Sequence, residues 1–139
     1  MKQANLFLTA VSLTAALIAI PLAPAEARSR LSPQQQLDKL LEGRVAGKPV
    51  SCIDTRINRD STVIDKTAIV YGSGRTIYVN RPKHPESLRS DVVLVTELHS
   101  TRLCSVDVVK LHERTGGWYR GFVGLSEFVP YTRVPVASR

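Results

Sequence analysis

The chain has 139 residues, with 19 basic against 12 acidic side chains and a formal net charge of +7. This length excludes more than one ordinary domain, because about 110 residues are left once an N-terminal leader is removed. The basic side chains are scattered along the sequence, so the charge alone does not indicate a nucleic-acid interface. It is consistent with attraction to anionic lipid, polysaccharide or nucleic acid, but the scattered pattern favours a soluble surface rich in arginine.

Residues 1–27 are typical of a secretory signal peptide. Lys2 precedes an apolar run over 6–20, and Ala25 and Ala27 place small side chains where a signal peptidase cleaves. Cleavage after Ala25 is an alternative to cleavage after Ala27. A retained membrane anchor is a further alternative, but an apolar run of about 15 residues is shorter than the roughly 20 that span a bilayer. We therefore expect a periplasmic or secreted protein without a transmembrane segment after cleavage.

Residues 28–49 are predicted to form a polar lead, a short amphipathic helix and a link. Ser32 and Gln35 have the spacing of a capping box, so the helix should begin at the next position and run over 33–42. Gly43 is a natural stop. Three leucines share one face of this helix: Leu37, Leu40 and Leu41. So small an apolar face must pack on the domain or on a partner.

Residues 50–134 are predicted to form a β domain, followed by a tail at 135–139. Strand-like segments separated by turns are found at 50–57, 62–64, 67–71, 76–80, 91–98, 103–111, 118–123 and 127–134. The tight turn at 72–75 predicts a hairpin between its two neighbours. The continuous apolar run at 92–95 predicts a strand buried on both faces. This spacing favours a mainly β fold, a small antiparallel barrel or sandwich of about six or seven short strands after one N-terminal helix.

Cys52 and Cys104 are the only two cysteines, and both have apolar neighbours. In an exported chain two cysteines most often pair. A disulfide between them would tie the start of the β domain to its later half, and closing this loop restricts the unfolded chain by about 4 kcal/mol in the entropic view. Neither cysteine belongs to a Cys-x-x-Cys pair, so the predicted role is structural.

Few residues have a pattern that indicates chemistry. The three histidines, at 84, 99 and 112, are too far apart in sequence to suggest a metal site, and we predict no metal or other cofactor. Glu97 and His99 would share a strand face, with Arg102 close by, which is the set a small ribonuclease needs for acid–base chemistry on a phosphate. The sequence favours a non-enzymatic protein, with a small secreted hydrolase, most plausibly a nuclease using these three residues, as the alternative.

The aromatic residues fall into two predicted groups. One group is expected to fill the core: Trp118, Phe122 and Phe128. The other is expected to be exposed and to offer a ligand surface: Tyr71, Tyr78, Tyr119 and Tyr131. Exposed rings stack on flat ligand faces. The partner is not defined by the sequence; an anionic component of the cell envelope or another protein is possible.

Three segments carry a family resemblance: 47–53 (GKPVSCI), 65–78 (DKTAIVYGSGRTIY) and 103–107 (LCSVD). Together they resemble a group of small, functionally uncharacterised exported proteins of Gram-negative bacteria of the sphingomonad type, with two structural cysteines. The resemblance implies a periplasmic or secreted address and no known activity, so no functional residue is carried over. We predict an envelope binding or structural module.

Overall fold

The computed structural model of the protein describes residues 31–98 and 100–135. The predicted signal peptide at 1–27, His99 and most of the predicted tail at 135–139 lie outside the described residues. The signal peptide and the export it implies therefore stay predictions.

The described residues form one α-helix, one 3₁₀ turn at Pro85–Ser87 and ten strands, all paired antiparallel. In chain order they are α1 (Pro33–Leu41), β1 (Arg44–Ala46), β2 (Cys52–Asp54), β3 (Ser61–Ile64), β4 (Ala68–Tyr71), β5 (Thr76–Asn80), β6 (Val92–Val95), β7 (Arg102–Cys104), β8 (Val108–Glu113), β9 (Tyr119–Gly124) and β10 (Phe128–Arg133). The predicted mainly β fold with one N-terminal helix is confirmed.

The strand count of ten exceeds the predicted six or seven, and two of the additional strands have a clear origin. The predicted link contains β1, which pairs with β10. The single strand predicted over 103–111 is two strands, because Asp107 turns the chain between them. Its Oδ2 accepts a hydrogen bond of 2.7 Å from the Cys104 amide, and its own amide donates to the Cys104 carbonyl at 3.0 Å. A side chain that bonds the backbone of a near neighbour competes with continued strand pairing.

Helix α1 begins as its sequence predicts. The Ser32 hydroxyl accepts from the Gln35 amide at 3.3 Å, and the Gln35 side chain accepts from the Ser32 amide at 2.9 Å, which completes the capping box. The helix ends at Leu41, one residue earlier than predicted, and Gly43 follows with a φ of +69°. Leu37 is the residue of this helix that is fully buried.

The strands form three sheets. The central sheet has the order β1-β10-β5-β4-β3, the outer sheet has the order β6-β8-β9, and β2 pairs with β7 in a two-stranded ribbon. None of the three closes into a barrel within the described residues. The predicted hairpin is β4–β5, with Ile69 opposite Asn80 and Tyr71 opposite Tyr78.

Two apolar cores divide the interior between them. The first joins α1 to the central sheet: Leu37, Ile64, Ala68, Val70, Ile77 and Val79. The second joins the central sheet to the ribbon and the outer sheet: Ile53, Ile69, Tyr71, Leu88, Val92, Leu103, Val109, Leu111, Val123, Leu125 and Phe128. Residues of β4 alternate between these two cores, so the central sheet is covered on both faces, whereas the outer sheet contributes to one core only.

Candidate functional site

The outer sheet has one buried face and one exposed face. Its strands align in two rows across the sheet, Val93–His112–Tyr119 and Val95–Lys110–Phe122. Residues opposite one another in antiparallel strands point to the same side, and residues two apart in a strand do so as well. Both rows therefore lie on one side, together with Val108. We call this set the outer face: Val93, Val95, Val108, Lys110, His112, Tyr119 and Phe122.

The outer face is apolar and exposed. The exposed fractions are 61% for Phe122, 57% for Tyr119, 48% for Val108, 41% for Val93 and 38% for Val95. The alternating positions on the other side, such as Val109, Leu111 and Val123, are at most 1% exposed. Contiguous apolar surface of this kind marks interaction sites more often than scattered single residues do.

Trp118 lies next to the outer face, in the turn between β8 and β9. Its indole is 72% exposed, and its carbonyl accepts a 2.8 Å hydrogen bond from the Glu113 amide. The ring packs closely on Gly116, where an added Cβ would lie 2.9 Å from both Cδ1 and Nε1 of the indole. Because Gly116 has no side chain, its backbone can contact the exposed Trp118 indole directly.

Each row carries a basic side chain at its centre. The Lys110 ammonium lies 2.5 Å from the Glu97 carboxylate, and this hydrogen bond with its opposite charge raises the pKa of Lys110. Nδ1 of His112 donates to the Gly117 carbonyl at 2.9 Å, which leaves Nε2 as the other ring nitrogen. The His112 and Tyr119 rings meet edge to face with centroids 5.7 Å apart. The outer face thus combines aromatic and aliphatic surface with two cationic or polar groups.

The predicted division of the aromatic residues is wrong for Trp118 and Phe122, which are exposed, and right for Phe128, which is fully buried. Both errors come from reading 118–123 as one core-filling strand. One available signal was the alternation in β8, where Lys110 and His112 alternate with Val109 and Leu111. A strand paired with β8 exposes the residues opposite Lys110 and His112, which are Phe122 and Tyr119. They lie three apart in β9, and an irregularity in the pairing at Arg120 lets both face the same side.

The four tyrosines predicted to form a ligand surface do not share one. Tyr71 is 6% exposed and belongs to the second core, with its ring edge-to-face on Phe128 at 5.8 Å, so its predicted exposure is wrong. Tyr78 and Tyr131 are half-buried and pack against different cores. Tyr119 alone of the four joins the outer face.

Of the three residues predicted for the alternative hydrolase, the structure describes Glu97 and Arg102. Glu97 binds Lys110, and Arg102 stands opposite Asp54 in the ribbon, where its charge helps to lower the pKa of that carboxyl. The larger cause of the lowered Asp54 pKa is its side-chain hydrogen bond to Arg56. His99 lies outside the described residues, so this catalytic set stays a prediction.

Cys52 and Cys104 form a disulfide between directly opposed positions of β2 and β7. The bond lies in the ribbon whose Ile53 and Leu103 enter the second core. A disulfide is compatible with an oxidising compartment and does not by itself establish one.

Two features are absent from the part of the chain that the structure describes. Within residues 31–98 and 100–135 no three His, Cys, Asp or Glu side chains are grouped to hold a metal ion. The helix found in the same residues is too short and too polar to cross a membrane. Comparison with protein-family models, with curated proteins and with solved structures found no match.

Proposed function

We propose that this chain is a non-enzymatic binding module of the cell envelope, periplasmic or secreted, and that it binds an acidic polysaccharide on the outer face. The observation that carries the proposal is the pair of aligned rows in which an exposed aromatic ring lies beside Lys110 or His112. The predicted signal peptide supports the address, and the disulfide is compatible with it.

The chemistry of the outer face suits a sugar chain with acidic groups. Sugar rings have apolar C–H faces, which stack on flat aromatic side chains such as Tyr119 and Phe122. Carboxylate or phosphate groups on the same chain would interact with Lys110 and with the His112 ring. Glu97 already neutralises part of the Lys110 charge, so the aromatic contacts provide most of the affinity and the charge provides selectivity. The net charge of +7 favours anionic partners at long range.

The scaffold of this proposal is an open sandwich, in which the central sheet and the outer sheet enclose the second core. Such a scaffold holds the outer face on paired strands, which position side chains more rigidly than loops do. Membership of the sphingomonad-type group of exported proteins is part of the same proposal, on the basis of the three sequence segments that resemble it.

Trp118 provides the direct test, since it is the only tryptophan. Its exposed indole should report a ligand on the adjoining outer face through its fluorescence. The chain lacking residues 1–27 is titrated with polygalacturonate and, separately, with neutral dextran. We expect a saturable change with polygalacturonate that weakens as salt is raised, and no change with dextran.

Variants locate the surface. Phe122→Ala should weaken polygalacturonate binding roughly tenfold, the effect of losing about 1.4 kcal/mol. Val45→Ala is the matched control, because Val45 is also 61% exposed but lies on β1 of the central sheet. Equal affinity of the two variants, or equal binding of both polysaccharides, would contradict the proposal. Cleavage of RNA by the wild type that is lost in Glu97→Gln would favour the hydrolase instead.

A further inference from the structure

A cavity of about 390 Å³ opens near the junction of the three sheets, away from the outer face. The loop between β2 and β3 contributes Asn58 and Arg59, β4 contributes Tyr71, and three leucines provide apolar lining: Leu94, Leu98 and Leu103. Three hydroxyl side chains complete the wall. The volume falls within the range of about 300–1,000 Å³ that is usual for small-molecule sites, and such sites combine apolar lining with few polar groups.

Tyr71 carries a polar group that the fold leaves without a partner. Its side chain is 6% exposed, and its hydroxyl is buried without a hydrogen bond to any described residue. Burial raises the pKa of this hydroxyl, so it remains a protonated donor at neutral pH. Buried hydroxyls in folded proteins nearly always have a partner, because an unpaired one costs free energy. A ligand in the cavity that accepts a hydrogen bond would satisfy it.

The charge of the lining is positive. Nε of Arg59 donates to the Arg56 carbonyl at 3.0 Å, which anchors the guanidinium, and Arg59 has no ion pair within the described residues. Asn58 is held in place by a 2.8 Å bond from its Nδ2 to the Asp54 carbonyl. Neither aspartate nor glutamate is found among the described residues that line the cavity. An anionic acceptor is therefore favoured over a neutral one or a cation.

We infer that this cavity binds a small amphipathic monocarboxylate, whose carboxylate accepts hydrogen bonds from Tyr71 and Arg59 and whose apolar part packs on Leu94, Leu98 and Leu103. A carboxylate supplies the acceptor that the buried hydroxyl lacks and the charge that Arg59 lacks. This binding is independent of the proposed polysaccharide function, because the cavity shares no residue with the outer face.

Octanoate is a suitable probe, and octanol is its matched control, since it has the same chain without the charge. The chain lacking residues 1–27 is titrated with each by calorimetry and by amide NMR shifts. We expect saturable binding of octanoate, with shifts centred on Tyr71 and Leu103, and no saturable binding of octanol. Absence of octanoate binding, as for a cavity that holds only water, or octanol binding as tightly as octanoate, would overturn the inference.

Two substitutions test the contacts. Tyr71→Phe removes only the hydroxyl, and Arg59→Gln removes the charge together with the Nε donor to Arg56; each should weaken octanoate binding roughly tenfold or more, as expected for a hydrogen bond to a charged group. Tyr78→Phe, on the neighbouring strand, should leave affinity unchanged. Equal affinity of Tyr71→Phe and wild type would refute the site. Phe122→Ala should bind octanoate normally, so failure here and failure of the polysaccharide proposal are separable.

Discussion

Strands β4 and β6 are similar in sequence and opposite in environment. β4 reads Ala-Ile-Val-Tyr and β6 reads Val-Val-Leu-Val, and both are unbroken apolar runs. All four residues of β4 are buried, whereas Val93 and Val95 of β6 are 41% and 38% exposed. The prediction that β6 is buried on both faces is therefore wrong.

The difference comes from what covers each sheet. Helix α1 packs on one face of the central sheet, and the outer sheet and ribbon pack on the other. No described element packs on the second face of the outer sheet. An apolar run predicts a strand with at least one buried face, but it does not predict whether other elements cover the second face. An apolar face left uncovered is where a partner is expected.

The largest expected effect tests whether the disulfide of the ribbon stabilises the packing of the central sheet against the outer sheet. Replacing both Cys52 and Cys104 by Ser should lower the free energy of unfolding by about 4 kcal/mol, because the bond closes a long loop. The sequence separation is 52 residues. Urea unfolding measures the change, and wild type treated with reductant should behave like the variant. A loss below about 1 kcal/mol would mean that packing of the ribbon alone joins the regions.

The difference in burial between β4 and β6 is tested by a valine-to-alanine substitution in each strand. Val70→Ala in β4 should cost about 2 kcal/mol, because it opens space in the first core. Val93→Ala in β6 should change the free energy of unfolding by less than about 0.5 kcal/mol. Both are measured by urea unfolding at neutral pH. Equal costs would show that the outer face is covered in solution, for instance by a second copy of the chain.

The sequence predicts some parts of this structure and not others, and the reason is physical. Local signals were sufficient for α1, whose Ser32 and Gln35 lie within one helical turn, and for the β4–β5 hairpin. The disulfide was predictable because the chain has only two cysteines. The outer face was not predictable, since it depends on the pairing of β6 with β8 and on the absence of a covering layer. The cavity was missed because it joins residues as distant in sequence as Arg59 and Leu103.

A smaller effect of opposite sign is expected inside the second core. Tyr71→Phe should raise the free energy of unfolding by about 1 kcal/mol, because it removes a buried hydroxyl that has no partner. Tyr78→Phe is the control for a half-buried tyrosine. Destabilisation by Tyr71→Phe would mean that the hydroxyl has a bound partner, such as water, even without ligand.

The same tyrosine gives a pH dependence. At pH values below its ordinary pKa of 10.0, the folded and unfolded chains both hold the phenolic proton, and Tyr71 has no effect on the pH dependence. Above that pH the unfolded chain loses the proton while the buried hydroxyl keeps it, so stability falls as pH rises. Urea midpoints between pH 8 and pH 11 should therefore decline less steeply in Tyr71→Phe than in Tyr78→Phe. Parallel curves would contradict the burial of this hydroxyl.

The smallest expected effect on stability is that of a Lys110 substitution. It distinguishes a role of the outer face in ligand binding from a role in stabilising the fold. Lys110 pairs with Glu97 at the surface, and exposed ion pairs of this kind contribute little to folding. Lys110→Gln should leave the urea midpoint unchanged, yet it should weaken polygalacturonate binding and flatten its salt dependence, because one cation is lost from the centre of a row. Lys48→Gln, at a position before the ribbon, is the charge-matched control. If both variants bind equally well, the net charge and not the outer face attracts the polysaccharide. If Lys110→Gln instead shifts the midpoint, the residue supports the sheet, and the contrast between the covered and uncovered regions is smaller than their burial suggests.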